Sequence, residues 1–246
     1  MNLIIWNARG IENPRAFWEL GRLIAEKCLT LLFFSEKKMR EVNCRWWKFK
    51  LGFSGSFMVD CNGKSGGLAL FWKSPAIVSV KSFSQGHIDC IIQEDDVIWK
   101  FTGFYGHPEA ALRRISWDLL QRLKAISELR DFPWLVGGDF NEICYDSEKL
   151  GGNRKSPSHL QAFRDTLELC ALQDISCFGE FFTWVNRRES NHAIFERLDR
   201  FVGNLGWRLM FPTARVESLE FYHSDHRPLC LKLYGDQARY SDGSRN

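Results

Sequence analysis

The chain lacks the features that mark several large classes. None of its eight cysteines, at 28, 44, 61, 90, 144, 170, 177 and 230, stands in a C-x-x-C pair. That argues against a zinc module. No apolar run approaches the length needed to cross a bilayer. The first, "LIIW" before Asn7, is too short for a secretory leader. No fixed-period repeat, low-complexity tract or linker divides the 246 residues. One domain over residues 1–235 is therefore expected, with 236–246 as a polar, flexible tail. Lys plus Arg exceeds Asp plus Glu only by 33 to 30, far short of the basic excess of many nucleic-acid binders. The expectation is an intracellular protein with reduced thiols.

What is present is aromatic and strand-rich. Ten Trp and twenty Phe predict a large, well-filled core. "NLIIWN" reads as a strand, the segment with Phe17, Leu20, Ile24 and Cys28 as a helix, and "LTLLFFSE" as a second strand. From residue 47 to 107, short β-rich runs split by Gly, Ser, Asn and Asp predict an antiparallel meander. Leu112, Ile115, Leu119, Leu123 and Ile126 predict one face of an amphipathic helix. After "PWLVGGDFNEI" and a glycine loop, Ser158 is the expected N-cap of a further helix. "FFTWVN", "IFERLDRFVGN", "ARVESLEFY" and "PLCLKLY" complete the strands. The expected class is α+β: a four-layer α/β/β/α sandwich, two mixed sheets face to face with helices outside.

Polar residues collect where these apolar runs end. "IIWN" ends in Asn7, "LLFFSE" in Glu36, "FTGFYGH" in Tyr105 and His107, and "WLVGGDFN" in Asp139 and Asn141. "ERLDRF" carries Asp199, and Ser224, Asp225 and His226 precede the last strand. Sites on sheet-based folds are built from strand-end loops. In extended chain Asp139 and Asn141 would project side by side, and Gly137 and Gly138 would let the backbone approach a neighbouring strand or a substrate. Glu36, Asp139, Asp225, Asn7 and Asn141 are hard oxygen donors suited to Mg²⁺ or Mn²⁺. His226 can donate to a phosphoryl oxygen while Asp199 holds the imidazole. Metal, carboxylate and histidine together suit phosphodiester hydrolysis. Singly, each residue also fits a duller role, such as an Asx turn at Asp139 or a charged edge strand at "ERLDR".

The ordered set Asn7, Glu36, Tyr105, "GDFN", "RLDR" and "SDH" resembles the endonuclease/exonuclease/phosphatase superfamily over residues 3 to 234. "WNARGI", "GGLALFWK", "GFYGHP", "VGGDFNEI", "FTWVN", "ERLDRF" and "SDHRPL" are similar to signatures of the endonuclease domain of plant LINE-type (non-LTR) retrotransposons. That resemblance implies a Mg²⁺-dependent (or Mn²⁺-dependent) DNA endonuclease leaving a 3′-hydroxyl and a 5′-phosphate. It also implies a nuclear location and a chain that is either an endonuclease-only fragment or a shortened gene product; the oligomeric state stays open, with a monomer favoured. Glu36 and Asn7 would hold the metal, with Asp225 supporting it or the histidine. Asp139 would orient or deprotonate water, and Asn141 and Tyr105 would meet the phosphate. His226 would stabilise developing charge, oriented by Asp199. The base stays open between Asp139 and His226.

Arg9, His107, Trp184, Arg188 and Ser224 are candidate substrate contacts, as are Arg154, Lys155, Arg187 and Arg227. Lys37 and Lys38 depart from the family pattern, which usually has Thr after the Glu. They would contact DNA or weaken metal binding. Two alternatives stay open. One is a same-fold enzyme on abasic-site DNA or inositol phosphates; "RLDR", where inositol 5-phosphatases carry "WCDR", argues against the latter. The other is a silent nucleic-acid-binding relic.

Overall fold

A computed structural model describes residues 1–8, 14–36, 41–61, 67–126, 132–186, 192–222 and 224–234, without the side chains of 14–16, 36, 41–44 and 126. In chain order the elements are β1 (Asn2–Asn7), α1 (Pro14–Glu26), β2 (Leu31–Glu36), α2 (Glu41–Lys50), β3 (Gly55–Val59), β4 (Gly67–Trp72), β5 (Ile77–Ser84), β6 (His87–Glu94) and β7 (Val97–Tyr105). Then come α3 (Arg113–Ile126), β8 (Trp134–Asp139), β9 (Lys149–Leu150), α4 (Pro157–Leu169), β10 (Gln173–Asp174), β11 (Cys177–Phe178) and β12 (Trp184–Val185). The chain continues through β13 (Phe195–Glu196), β14 (Asp199–Gly203), α5 (Leu205–Met210), β15 (Arg215–Ser218) and β16 (Leu229–Lys232).

Two large mixed sheets form the centre. One runs β11-β15-β16-β1-β2-β4-β3, the other β10-β14-β8-β7-β6-β5, and β12-β13-β9 form a small third sheet. Strand alternation explains the layers. Leu3 and Ile5 of β1 face inward and pack with Phe33, Ile88, Phe101, Leu135 and Phe201 between the sheets. Ile4 and Trp6 face outward, against Phe17, Leu20 and Ile24 of α1 and Trp47 of α2. On the other flank Val136 and Val202 pack against Trp117 and Leu120 of α3 and Phe163 of α4. The result is the expected four-layer α/β/β/α sandwich.

Several local expectations differ from the structure. Residues 47–50 belong to helix α2, and the strand-rich stretch is no single meander: β3 and β4 join one sheet, β5 to β7 the other. The buried stripe of α3 is Trp117, Leu120 and Leu123, whereas Leu112 and Ile115 are exposed. Aromatic bulk at 117 outweighs the aliphatic spacing. Pro157 at the first turn of α4 puts the N-cap at Ser156; its hydroxyl contacts that of Ser158 at 2.8 Å. Cys28 follows α1 in a left-handed turn (φ 46°) and is exposed. "IFERLDRFVGN" is split into β13 and β14, which lie in different sheets. The seven cysteines with described side chains form no disulfide. No described helix is long and apolar enough to cross a membrane.

Candidate active site

The strand register brings the polar ends to one edge. Parallel pairing of β1 with β2 sets Asn7 opposite Ser35, with Glu36 next along β2. In the facing sheet β7 and β8 run parallel and pair Tyr105 with Asp139, while antiparallel β14 starts with Asp199 opposite Asp139. An isolated bridge joins Trp184 to His226. Glycines permit this closeness: a Cβ at Gly138, where φ is +155°, would strike the carbonyl of Phe104 in β7. The glycine therefore accommodates the neighbouring strand.

At the centre, Asn7 reaches across the sheets and donates from Nδ2 to Asp139 Oδ2 at 2.9 Å. His226 Nδ1 lies 2.8 Å from Asp199 Oδ2, and its Nε2 lies 3.8 Å from Asp139 Oδ2. Asp139 and Asp199 are each 1% exposed and His226 5%. Asp199 is held through its backbone: the amides of Leu198 and Asp199 both donate to Thr183 Oγ1, at 3.0 and 2.9 Å. Ser224 donates to the carbonyl of Asn7 at 2.6 Å and accepts from the amide of His226 at 3.1 Å. Its hydroxyl thus braces the two site strands and is fully buried.

Burial pushes the Asp139 carboxyl up, the His226 charge opposes this, and Asp199 adds to it, giving a pKa of about 6. For His226, burial pulls down, but Asp199 and Asp139 outweigh it and raise the imidazole to about 9. At neutral pH the favoured state is a carboxylate beside an imidazolium.

Asn141 departs from the extended geometry expected of it. Its φ is +55°, its amide donates to Asp139 Oδ1 at 2.8 Å, and its Nδ2 donates to the carbonyl of Gly106 at 2.8 Å. The Asx turn and the site are the same object: the turn fixes the carboxylate. Asn141, Asn7, Tyr105, Trp184 and His226 line an open cleft of about 380 Å³.

Asp139, Asp199 and His226 offer ligand atoms within 4.8 Å of one another. As a metal cage this set is poor, because Asp199 already holds Nδ1 of the imidazole. It suits proton handling better. The wider donor set does fit a hard cation. Even with His226 protonated, two buried carboxylates face one positive charge. Asn7 commits its Nδ2 to Asp139, leaving its carbonyl oxygen as a donor. Glu36 ends the adjacent strand, and its side chain lies outside the described residues.

A family model described as "Endonuclease/Exonuclease/phosphatase family" matches residues 5–226. The chain belongs to this family. Its members are hydrolases acting on phosphodiester bonds. Comparison with curated protein sequences finds no match. Among solved structures, the chain is similar to the endonuclease domain of TRAS1, a telomere-specific non-LTR retrotransposon. Identity is 14% and TM-score 0.69, covering 96% of this chain and 99% of that one. It is also similar to the AP endonuclease LMAP from Leishmania major (16%, 0.69, 94% and 86%). A third is the 3′ phosphatase NExo from Neisseria bound to a product DNA hairpin (16%, 0.66, 94% and 98%). At such identities these likenesses show the endonuclease/exonuclease/phosphatase fold.

The remaining candidates divide. Trp184 is half-buried on the cleft wall and donates from Nε1 to Asp225 Oδ2 at 3.2 Å. His107 shapes its own loop, its Nδ1 accepting from the amide of Glu109 at 3.2 Å. Arg227 turns away, stacking over Phe221 at 4.1 Å and donating to the carbonyl of Leu219. Arg154 is exposed, and Lys155 lines the cleft. Arg9, Lys37, Lys38, Arg187, Arg188 and the tail 236–246 lie outside the described residues.

Two ionic networks escaped the sequence reading. Arg200 and Arg197 bind Glu148 and Asp174 beneath the site. Arg113, Glu142, Lys155, Glu196 and Lys149 form a chain of ion pairs beside the cleft. Most of the paired members lie far apart in the chain, and the sequence singles out only Lys155 among them, as a candidate substrate contact.

Proposed function

We propose that this protein is a divalent-metal-dependent endonuclease that nicks DNA by in-line attack of water and leaves a 3′-hydroxyl and a 5′-phosphate, as in target-site nicking by LINE-type retrotransposons. The observation that carries the reading is the cross-sheet cluster of Asn7, Asp139, Asp199 and His226, brought together by strand register, with Asn7 and His226 lining one cleft and the two carboxylates buried beside them. Residues 1–235 act as one catalytic domain, since both sheets supply the cluster. The likeness to the TRAS1 endonuclease domain favours DNA as the substrate.

Glu36 and Asn7, supported by Asp225, would hold Mg²⁺ (or Mn²⁺), which supplies charge neutralisation at the phosphate. Asp139 accepts the proton of the attacking water. Asn7 and the Asn141 amide each donate to one of its carboxylate oxygens, which sets the orientation of the carboxylate. His226, held at Nδ1 by Asp199, presents its Nε2–H to a phosphoryl oxygen. Tyr105, Asn141 and Trp184 position the strand.

The test is nicking of supercoiled plasmid with Mg²⁺. Wild-type protein should relax the plasmid and lose this with EDTA. Asp139→Asn should lose about 10³–10⁴-fold, as expected for a missing general base. His226→Ala should lose about 10²–10³-fold, through lost charge stabilisation. Equal nicking by wild type and Asp139→Asn, or none by either, would reject the endonuclease. Turnover of soluble inositol phosphates instead would favour the same-fold alternative.

A further inference from the structure

The cleft has two poles of opposite charge. The catalytic pole carries Asp139 and Asp199 against His226. The other pole is the ion-pair chain. Arg113 bonds Glu142; Lys155 reaches Glu142 at 3.2 Å and Glu196 at 2.7 Å; Lys149 reaches Glu196 at 2.5 Å. Three cations thus meet two carboxylates, which leaves one positive charge uncompensated among the described residues. The chain is withdrawn from water: the side chains of Arg113, Lys155 and Lys149 are 13%, 14% and 13% exposed, and those of Glu142 and Glu196 0% and 7%. A partly desolvated excess cation is favourable only where an anion completes it.

Lys155 is the group placed to meet that anion. Its ammonium has three N–H donors, and two have carboxylate partners. It lines the same cleft as Tyr105, Asn141 and His226. Ile194 and Leu198 lie on the wall too, an apolar surface suited to a sugar face. The two carboxylates keep Lys155 from collapsing onto the catalytic acids, so its charge stays fixed at its own pole.

The geometry points to a second phosphate subsite at Lys155 and Arg113, which binds a backbone phosphate next to the scissile one and so selects a polynucleotide strand over an isolated phosphate ester. This rests on the endonuclease reading above and adds to it the group that reads substrate length. Arg113 supports the subsite through Glu142. Lys155 makes the direct contact.

The test uses the full chain, Mg²⁺ and a DNA oligonucleotide nicked by the wild type. A charge-assisted contact of this kind corresponds to about a tenfold change in kcat/KM. Lys155→Gln should therefore lower kcat/KM about tenfold, mainly through KM. It should also reduce the slope of log affinity against log salt by about one. Lys155→Arg should keep the slope, and thermal melting of both variants controls for folding. The deciding measurement is a scan of single uncharged methylphosphonate linkages on either side of the nick. At one position the wild type should fall about tenfold and Lys155→Gln should fall no further. If every position lowers both proteins equally, or if Lys155→Gln leaves the salt slope intact, the subsite is wrong while the endonuclease stands. If the wild type nicks no DNA, both readings fall.

Discussion

Asp199 and Arg200 are neighbours on β14, yet alternation sends them to opposite faces and into opposite electrostatic regimes. Asp199 joins Asp139 and His226 at the cleft, where two carboxylates face one imidazole. Arg200, fully buried, joins Arg197, Glu148 and Asp174, two cations against two acids, with Glu148 Oε2 at 2.9 Å and Asp174 Oδ2 at 3.3 Å. The balanced set holds strands together. The unbalanced set keeps a charge demand that a metal and a phosphate can meet. Both sets are buried apart from Asp174, whose side chain is about a third exposed; what differs is whether the protein itself completes the charge count.

Breaking the balanced side should cost the most stability. Arg200→Leu strips Glu148 of one of its two arginines inside the protein, and about 3–5 kcal/mol of folding free energy should go with it. A urea melt checks this; a loss below about 1 kcal/mol would show that the network does not hold β14.

The two regions should also carry opposite pH signatures in the metal-free protein. His226 has a folded value near 9, above its usual 6.5. The stability it contributes is complete below about 6.5 and is lost as pH rises through 9. Asp139 is raised from 3.8 to about 6, so ionising it between these values also lowers stability as pH rises. For Glu148, burial pushes upward but the two arginines win, and its carboxyl sits below 4.5. Its contribution is present above 4.5 and is lost as pH falls. Urea melts of Asp139→Asn and Glu148→Gln across pH 3.5–9 should flatten different limbs; a common limb would erase the distinction.

A smaller effect is expected at Thr183, which lies between the regions. Thr183→Val removes the acceptor for the amides of Leu198 and Asp199. About 1 kcal/mol, or roughly fivefold in kcat, is the scale for such a bond. Unchanged kcat would show that Asp199 is held without it.

The grouping of Asn7, Asp139, Asp199 and His226 was legible in the sequence as a set of strand ends, because strand ends are local features. An apolar run that stops at Asn7 or Asp139 announces an edge, and parallel register then aligns the edges. The balanced side was not legible. Glu148 and Arg200 lie 52 residues apart, and "ERLDR" reads as a solvated strand until the fold buries it. Lys155 stood out only as a basic residue in a polar loop and a candidate substrate contact; its place between Glu142 and Glu196 is set by the fold. The helical face of α3 was only partly legible: Leu119 and Leu123 pack inward as expected, but spacing alone cannot weigh a buried Trp117 against an exposed Ile115.

The central claim is that the Asp139 carboxylate is held against its own preference. Thermal melting of Asp139→Asn beside wild type at pH 8, without metal, tests it most directly. The variant should melt at or above the wild-type temperature, because the charge that burial disfavours is gone. A variant that melts as far below wild type as Arg200→Leu would mean that Asp139 stabilises the fold and that the two regions do not differ in kind.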